Sequence, residues 1–466
     1  MSFRVLQRRN TSSIRAWFTL TCLAMLQFLI AVDVTVVNVA LPSIGAEFSV
    51  PERQLTWVVV GYTITGGGLL MLGGRLGDMF GRRMVLLAGT TVFGAASILA
   101  GTAWSFPVLV TARLLQGMGE ALALPAAMAV IVMMFPEGVE RSRALGVWAA
   151  VASSGLVLGF VLSGMITQFW GWRWIFLVAV PFIVLVLVGT VFLVPSEPSR
   201  RRTRPDLRGA VLLTLTPLLF VYGVVEAGTD VSAAIWATAL LGSVVAGGLF
   251  LRSERRAENP MVPISFFRNR SRVTANVATA FLSAALSTSF LLLTFYLQER
   301  LGLDPLITGL SLIPLAVSLI VSATLVPKLL DRWGARACII SGLLFTGLAM
   351  VVIAGVAHLN APAWTMIPAM VAIAAGMGFG IIGLQYVAVS GVTEADAGIA
   401  SGVQRAADQL GGSSGIALYL GIGFAPVFSG STPYLVSSLL AVLGLGVAAA
   451  FASRIVLPRA TERPIG

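Results

Sequence analysis

The chain has 466 residues, of which 57% are hydrophobic and 11% charged, with a formal net charge of +11. Soluble proteins carry about 25% charged residues, so a chain this apolar over its whole length is an integral membrane protein. The positive balance does not mark a nucleic-acid binder, because the basic residues sit in short loops between apolar runs, where they serve as orientation signals.

The first element follows MSFRVLQRRNTSSIR. A signal peptide has a short apolar core and a small-residue cleavage site. Here the apolar run is longer and ends at NVALP, so it reads as a retained first helix. A helix needs about 20 apolar residues to cross the hydrocarbon core. Fourteen segments qualify: 17–41, 56–74, 84–103, 107–135, 143–167, 174–194, 209–226, 233–251, 273–297, 307–327, 336–357, 362–390, 398–426 and 433–454. None alternates in polarity as barrel strands do. The expected fold class is therefore all-α integral membrane, with 14 transmembrane helices.

Placing the N-terminus inside puts 26 of the 31 Lys and Arg on the cytoplasmic side. Arg53, Arg173 and Arg300 fall outside, and Arg113 and Arg405 fall within helices. This asymmetry sets both termini in the cytoplasm. Two basic linkers, 195–209 and 252–272, bracket helices 7 and 8. Without that pair the chain is six plus six helices: a bundle over 1–194, linkers and two extra helices over 195–272, and a bundle with a short tail over 273–466.

A repeat joins the halves. GRLGDMFGRR (74–83) follows helix 2 and PKLLDRWGAR (327–336) follows helix 10. They share Leu76 and Leu329, Asp78 and Asp331, Gly81 and Gly334, Arg83 and Arg336. A carboxylate among arginines can form charge-assisted hydrogen bonds, or cap a helix, and so hold one conformer of a gate. Gly74, Asp78, Gly81, Arg82 and Arg83, with Asp331, Arg332, Gly334 and Arg336, are the candidate gate residues; the alternative is that they are topology charges only. No GK[ST] follows the glycines, which excludes a phosphate loop.

Five ionisable residues lie within spans: Asp33, Arg113, Glu120, Arg405 and Asp408. Each is costly in lipid unless paired or hydrated, and each is a functional candidate. At about 1.5 Å of rise per residue, Asp33 lies about 12 Å from the outer end of helix 1 and Arg113 about 9 Å from that of helix 4. A buried carboxylate whose proton affinity is pulled one way by low dielectric and the other by a guanidinium suits proton coupling; the alternative is a permanent structural pair. Glu120, two turns after Arg113 on the same face, is a candidate second proton or cation site. Asp408 and Arg405 share that candidacy but read first as a pair neutralising each other one turn apart. Asn38, Tyr62, Gln116 and Trp148 are candidate cavity-lining residues, with Asn38 first a helix–helix hydrogen bond. Cys22, Cys338 and the single His358 give neither a disulfide framework nor a metal site.

The first loop matches the G-x-L-a-D-r-x-G-r-k signature of the major facilitator superfamily, and the chain resembles that family's fourteen-helix drug:proton antiporters. VDVTVVNVALP in helix 1, RLLQGMGEALALP (113–125), WGWRWIFLVAVP (170–181) and ADAGIASGVQRAADQLGGSSGIAL (395–418) carry the likeness. The fifth-helix exporter motif departs from the pattern: GLVLGFVLSG (155–164) keeps Gly155, Gly159 and Gly164, but Phe160 replaces proline and Ser163 a glycine. The resemblance implies two six-helix bundles and neighbouring helices 1 and 4. It also implies export of small amphipathic compounds in exchange for protons, with Asp33 and Arg113 in the coupling. No cofactor is expected beyond the proton-motive force. The setting implied is a bacterial cell membrane, with a monomer working alone. The alternatives are a dedicated exporter or importer of one metabolite, or a non-transporting sensor. No nucleophile–base set or metal cluster suggests an enzyme.

Overall fold

The computed structural model describes residues 2–196, 206–227, 231–257, 260, 262, 266, 268–390, 397–425, 427, 428 and 430–455. They form α1 (Ser2–Phe48), α2 (Glu52–Phe80), α3 (Arg82–Gly101), α4 (Phe106–Met134), α5 (Val139–Trp170), α6 (Trp174–Leu193) and α7 (Leu207–Glu226). The chain continues with α8 (Ala233–Arg256), α9 (Arg270–Arg300), α10 (Pro305–Trp333), α11 (Ala335–Leu359), α12 (Ala363–Val389), α13 (Ala397–Gly423) and α14 (Thr432–Ala452).

Among the described residues, 13 helices are long and apolar enough to cross a membrane. The fourteenth, α13, is 27 residues long but too polar to qualify. The reason is its position: it packs against α2, α7, α9 and α14, so helices rather than lipid surround it. The expected end of helix 1 at Leu41 was too early. α1 continues through Pro42 to Phe48, because Val39, Ala40, Leu41 and Ile44 are fully buried and packing compensates the hydrogen bond that proline removes. Two helices carry π turns, at Tyr296–Arg300 in α9 and Met377–Ile381 in α12.

In the first six helices, α1 packs on α5 and α6, and α4 on α2 and α3. In the last six, α9 packs on α13 and α14, and α12 on α10 and α11. The groups meet along two seams, α2 with α13 and α5 with α10. α7 lies against both α2 and α13, and α8 packs on α7.

Three successive glycines let α2 serve several neighbours at once, since each residue turns about 100° from the last. A Cβ on Gly66 would press on Glu120 of α4 and Gln409 of α13; on Gly67, on Gln409 and Leu410; on Gly68, on Thr214 of α7 at 2.4 Å. The glycines of 155–164 serve the same purpose on α5. A Cβ on Gly155 would meet Ala31 at 2.7 Å, and one on Gly164 the Pro305 carbonyl of α10 at 2.5 Å. Phe160 is fully buried between them and packs on Phe290 of α9, centroids 5.8 Å apart. A flat apolar ring thus stands where the exporter motif has proline, inside a seam between the groups.

The seams close at one end. There Gly164 meets Gly309 of α10, and the Gln298 side-chain amide donates to the Val39 carbonyl at 2.8 Å. At the other end, which carries the basic loops, residues 142–154 of α5 and 320–333 of α10 are mostly exposed. The two helix groups are thus in contact at the end opposite the basic loops, while at the basic end the α5–α10 flank is largely exposed.

Candidate functional site

The site is built on α4. Arg113, about two turns into that helix, is 1% exposed. Its Nη1 donates to Asp33 Oδ2 on α1 at 2.6 Å and to Gln116 Oε1 at 2.9 Å, and its Nε donates to the Val58 carbonyl of α2 at 2.7 Å. Gln116 Nε2 in turn donates to Asp33 Oδ1 at 3.2 Å and to Ser97 Oγ of α3 at 3.0 Å. The Tyr62 ring lies under the guanidinium, 4.4 Å from its centroid. Four helices therefore converge on one buried acid–base pair, and both carboxylate oxygens of Asp33 are engaged.

Two turns along α4, Glu120 is fully buried. Its Oε1 accepts from Gln409 Nε2 of α13 at 3.2 Å. Its Oε2 has no hydrogen-bond partner, nor do Gln409 Oε1 and the Tyr62 hydroxyl. Tyr62 faces Glu120 without closing a bond to it. A polar track thus runs from Asp33 through Arg113 and Tyr62 to Glu120, and crosses to the other helix group at Gln409.

Arg405 and Asp408 do not form the pair expected of them. Among the described residues no ion pair joins the two; Asp408 accepts a hydrogen bond from the Ser283 hydroxyl of α9, and Arg405 is exposed. The i, i+3 spacing allowed contact, but α9 presented a nearer donor. Asn38 is buried, and its Oδ1 has no partner, so the helix–helix hydrogen bond expected there is not made. Trp148 is buried in the apolar core that α1, α4 and α5 share, with Leu23 and Val130, and has no hydrogen bond to the Asp33 cluster.

The gate loops share backbone but not the expected charge cluster. Gly81 (φ 96°, ψ 134°) and Gly334 (φ 81°, ψ 158°) make the same turn, each N–H returning to the carbonyl four residues back. Glycine enters this region without the steric cost of a Cβ. Arg82 donates to the Ala129 carbonyl at 3.2 Å and Arg83 to the Val191 carbonyl at 2.5 Å. The arginines therefore tie α3 to the ends of α4 and α6 rather than to Asp78, which is exposed. Asp331, Arg332 and Arg336 are exposed as well, and Gly74 packs near Pro125.

Gln409, Ser97 and Ser283 were not singled out from the sequence. Gln409 stood beside Asp408 in an otherwise apolar and small-residue stretch, and an uncharged amide at that depth was the available signal. Arg53 was taken for a loop charge. It is 5% exposed, and its guanidinium donates to the Val224 and Ala227 carbonyls at the end of α7.

The profile of the Major Facilitator Superfamily matches residues 23–416. A lincomycin resistance protein of Streptomyces lincolnensis is 50% identical over 435 residues, covering 92% of this chain and 89% of the relative. A puromycin resistance protein of Streptomyces alboniger is 33% identical over 407 residues, covering 87% and 81%. A crystal structure of a POT family transporter in complex with 5-aminolevulinic acid superposes with a TM-score of 0.70 at 16% identity, over 94% of this chain and 96% of that one, a likeness of fold. With its fold, its repeated loop and these relatives, this chain is a multi-pass membrane transporter, not an enzyme, and belongs to the Major Facilitator Superfamily.

Proposed function

We propose that the protein exports small amphipathic organic compounds, antibiotics among them, in exchange for protons. The observation that carries this reading is Asp33, buried in the interior and held by Arg113 and Gln116. The relatives named for resistance to lincomycin and puromycin supply the substrate class. An acid at this depth is expensive to keep charged. A rearrangement of α1 against α4 would part it from Arg113.

In this reading the bundles 1–194 and 273–466 rock about a central site, as transporters built from repeats do. The basic end is cytoplasmic, with both termini, in a bacterial cell membrane. The basic ends of α5 and α10, exposed in this conformer, then face the cytoplasm, where Asp33 gives up its proton and substrate enters. The halves exchange ends, outside protons return to Asp33, and substrate leaves. Asp78 and Asp331 take up their arginine partners when the basic end closes. Each chain completes a pathway alone, as a monomer, driven by the proton-motive force with no other cofactor.

Reconstituted protein in liposomes, acidic inside, tests this. Lumenal pH is followed while lincomycin, puromycin and lipophilic cations are added. Proton efflux driven by compound in the wild type and lost in Asp33→Asn supports antiport through Asp33. Exchange that survives in Asp33→Asn removes that residue from the coupling. No coupled proton movement with any compound in the wild type overturns the reading.

A further inference from the structure

The pairing of Glu120 with Gln409 is one proton short, and the Tyr62 hydroxyl, which faces Glu120, makes no hydrogen bond to either group. The Gln409 amide meets the Glu120 carboxylate through one bond, Nε2 to Oε1 at 3.2 Å. The other oxygen of each group, Glu120 Oε2 and Gln409 Oε1, is buried and unpartnered. Both oxygens border the same point beside Gly66: a Cβ there would lie 3.0 Å from Glu120 Oε2 and 3.3 Å from Gln409 Oε1. An amide and an ionised carboxylate cannot satisfy each other fully, because the carboxylate only accepts. Turning the amide over does not help, since its oxygen then faces the other carboxylate oxygen. A neutral acid removes the conflict. Its O–H donates to the amide oxygen while its C=O accepts from the amide N–H, closing a two-bond ring.

We infer that Glu120 carries a proton in this conformer, and that the resulting acid–amide pair with Gln409 latches α4 to α13, and so one helix bundle to the other. Gly66 makes room for it, since a Cβ there would crowd both oxygens, at 3.0 and 3.3 Å. The charged and titratable groups facing Glu120 are Tyr62 on α2, Asp33 on α1 and Arg405 on α13. Arg405 stands one turn before Gln409 on the same side of α13. When the proton leaves, the pair keeps one bond, two oxygens repel, and the anion is drawn towards Arg405 instead. The proton on Glu120 thereby chooses between two positions of α13 against α4, one helical turn apart. This is a protonation site distinct from Asp33, on the seam where the bundles slide. Its consequence for transport rests on the alternating-access reading above; its spectroscopic test does not.

The test is infrared difference spectroscopy of the full-length protein in nanodiscs, titrated with pH, on wild type, Glu120→Gln, Gln409→Leu and Asp408→Asn. The expected result is a protonated-carboxyl C=O band that bleaches as pH rises. The band is absent in Glu120→Gln, retained in Asp408→Asn, and moved to higher frequency in Gln409→Leu, which lacks both hydrogen bonds. Labelling glutamate carboxyls with carbon-13 shifts the band in wild-type protein, so the assignment survives even if a variant fails to fold. A wild-type spectrum without such a band at any pH where the protein stays folded, or a band indifferent to glutamate labelling, overturns the inference.

The latch has its own readout. Spin labels at Ser142→Cys and Lys328→Cys, on the exposed ends of α5 and α10, report how far the basic ends stand apart. In wild type the long-distance population falls as pH rises. Glu120→Gln keeps an N–H where the acid had its O–H and holds the long distance at every pH. Gln409→Leu removes the pH dependence. A Glu120→Gln protein whose distances still follow pH as wild type does would overturn the latch.

Discussion

Arg113 holds Asp33 through Nη1, at 2.6 Å, while its Nε is spent on the Val58 carbonyl at 2.7 Å. The guanidinium is therefore anchored to α2 independently of its acid. A lysine has one nitrogen and cannot reach α1 and α2 together in a fixed geometry. Arg113→Lys should lose stability and coupling, and Arg113→Ala, which leaves a buried carboxylate unpaired, should cost about 3 to 5 kcal/mol. Asp33→Asn should cost less, since Gln116 and Val58 still hold the arginine. Thermal unfolding of the three proteins in one detergent gives the order; an Asp33→Asn protein less stable than Arg113→Ala contradicts it.

The contact of α2 with α4 is set by backbone approach. A Cβ on Gly73 would lie 1.9 Å from the Ala121 carbonyl oxygen, whereas one on neighbouring Gly74 would lie 3.8 Å from Pro125. Gly73→Ala should cost about 2 kcal/mol or more through forced separation, and Gly74→Ala should be near neutral. Monodispersity and melting temperature of the two variants check this; equal behaviour would mean that α2 moves freely against α4.

On the closed end, Gly164 touches α10. Gly164→Val places a branched side chain where even a Cβ would be 2.5 Å from the Pro305 carbonyl, and should part α5 from α10 there. The cavity beside this seam, about 490 Å³ and lined by Ser43, Glu52 and Gln298 among others, should then widen. A cysteine at Ser43 should react several-fold faster with an impermeant maleimide in the Gly164→Val background. An unchanged rate would mean that this contact does not hold the end shut.

The two gate turns should respond alike to backbone strain and not to charge. Gly81→Ala and Gly334→Ala each force a side chain into a positive-φ conformation, at about 1 to 3 kcal/mol. Asp78→Asn, at an exposed position, should leave the melting temperature almost unchanged in this conformer. A large loss of stability in Asp78→Asn would show that its carboxylate is already engaged.

Much of the site was legible because depth in a membrane helix is a matter of counting. Asp33 and Arg113 were matched by distance from the outer ends of α1 and α4, and they meet. Glu120 was found as an acid where only apolar residues are cheap. What counting could not supply was the partner on a different helix. Gln409 bonds Glu120 from 289 positions away, and nothing local in an uncharged amide announces that. Asp408 and Arg405 show the converse error: neighbours in sequence looked sufficient for each other, and α9 intervened. Nothing in the sequence singled out the glycines at 66–68, yet their succession turns one helix towards α4, α13 and α7 in turn.

The position of α7 decides which way the bilayer can reach the centre. It lies across the α2–α13 seam, tied by Arg53 at one end and seated on Gly68 further along. A lipid-dissolved molecule approaching on that flank meets a covered wall. Among the described residues the α5–α10 flank has no such cover, and at the basic end its two helices stand exposed. The two additional helices thus make a pseudo-symmetric fold lopsided in the membrane plane, with one flank walled and the other bare among the described residues.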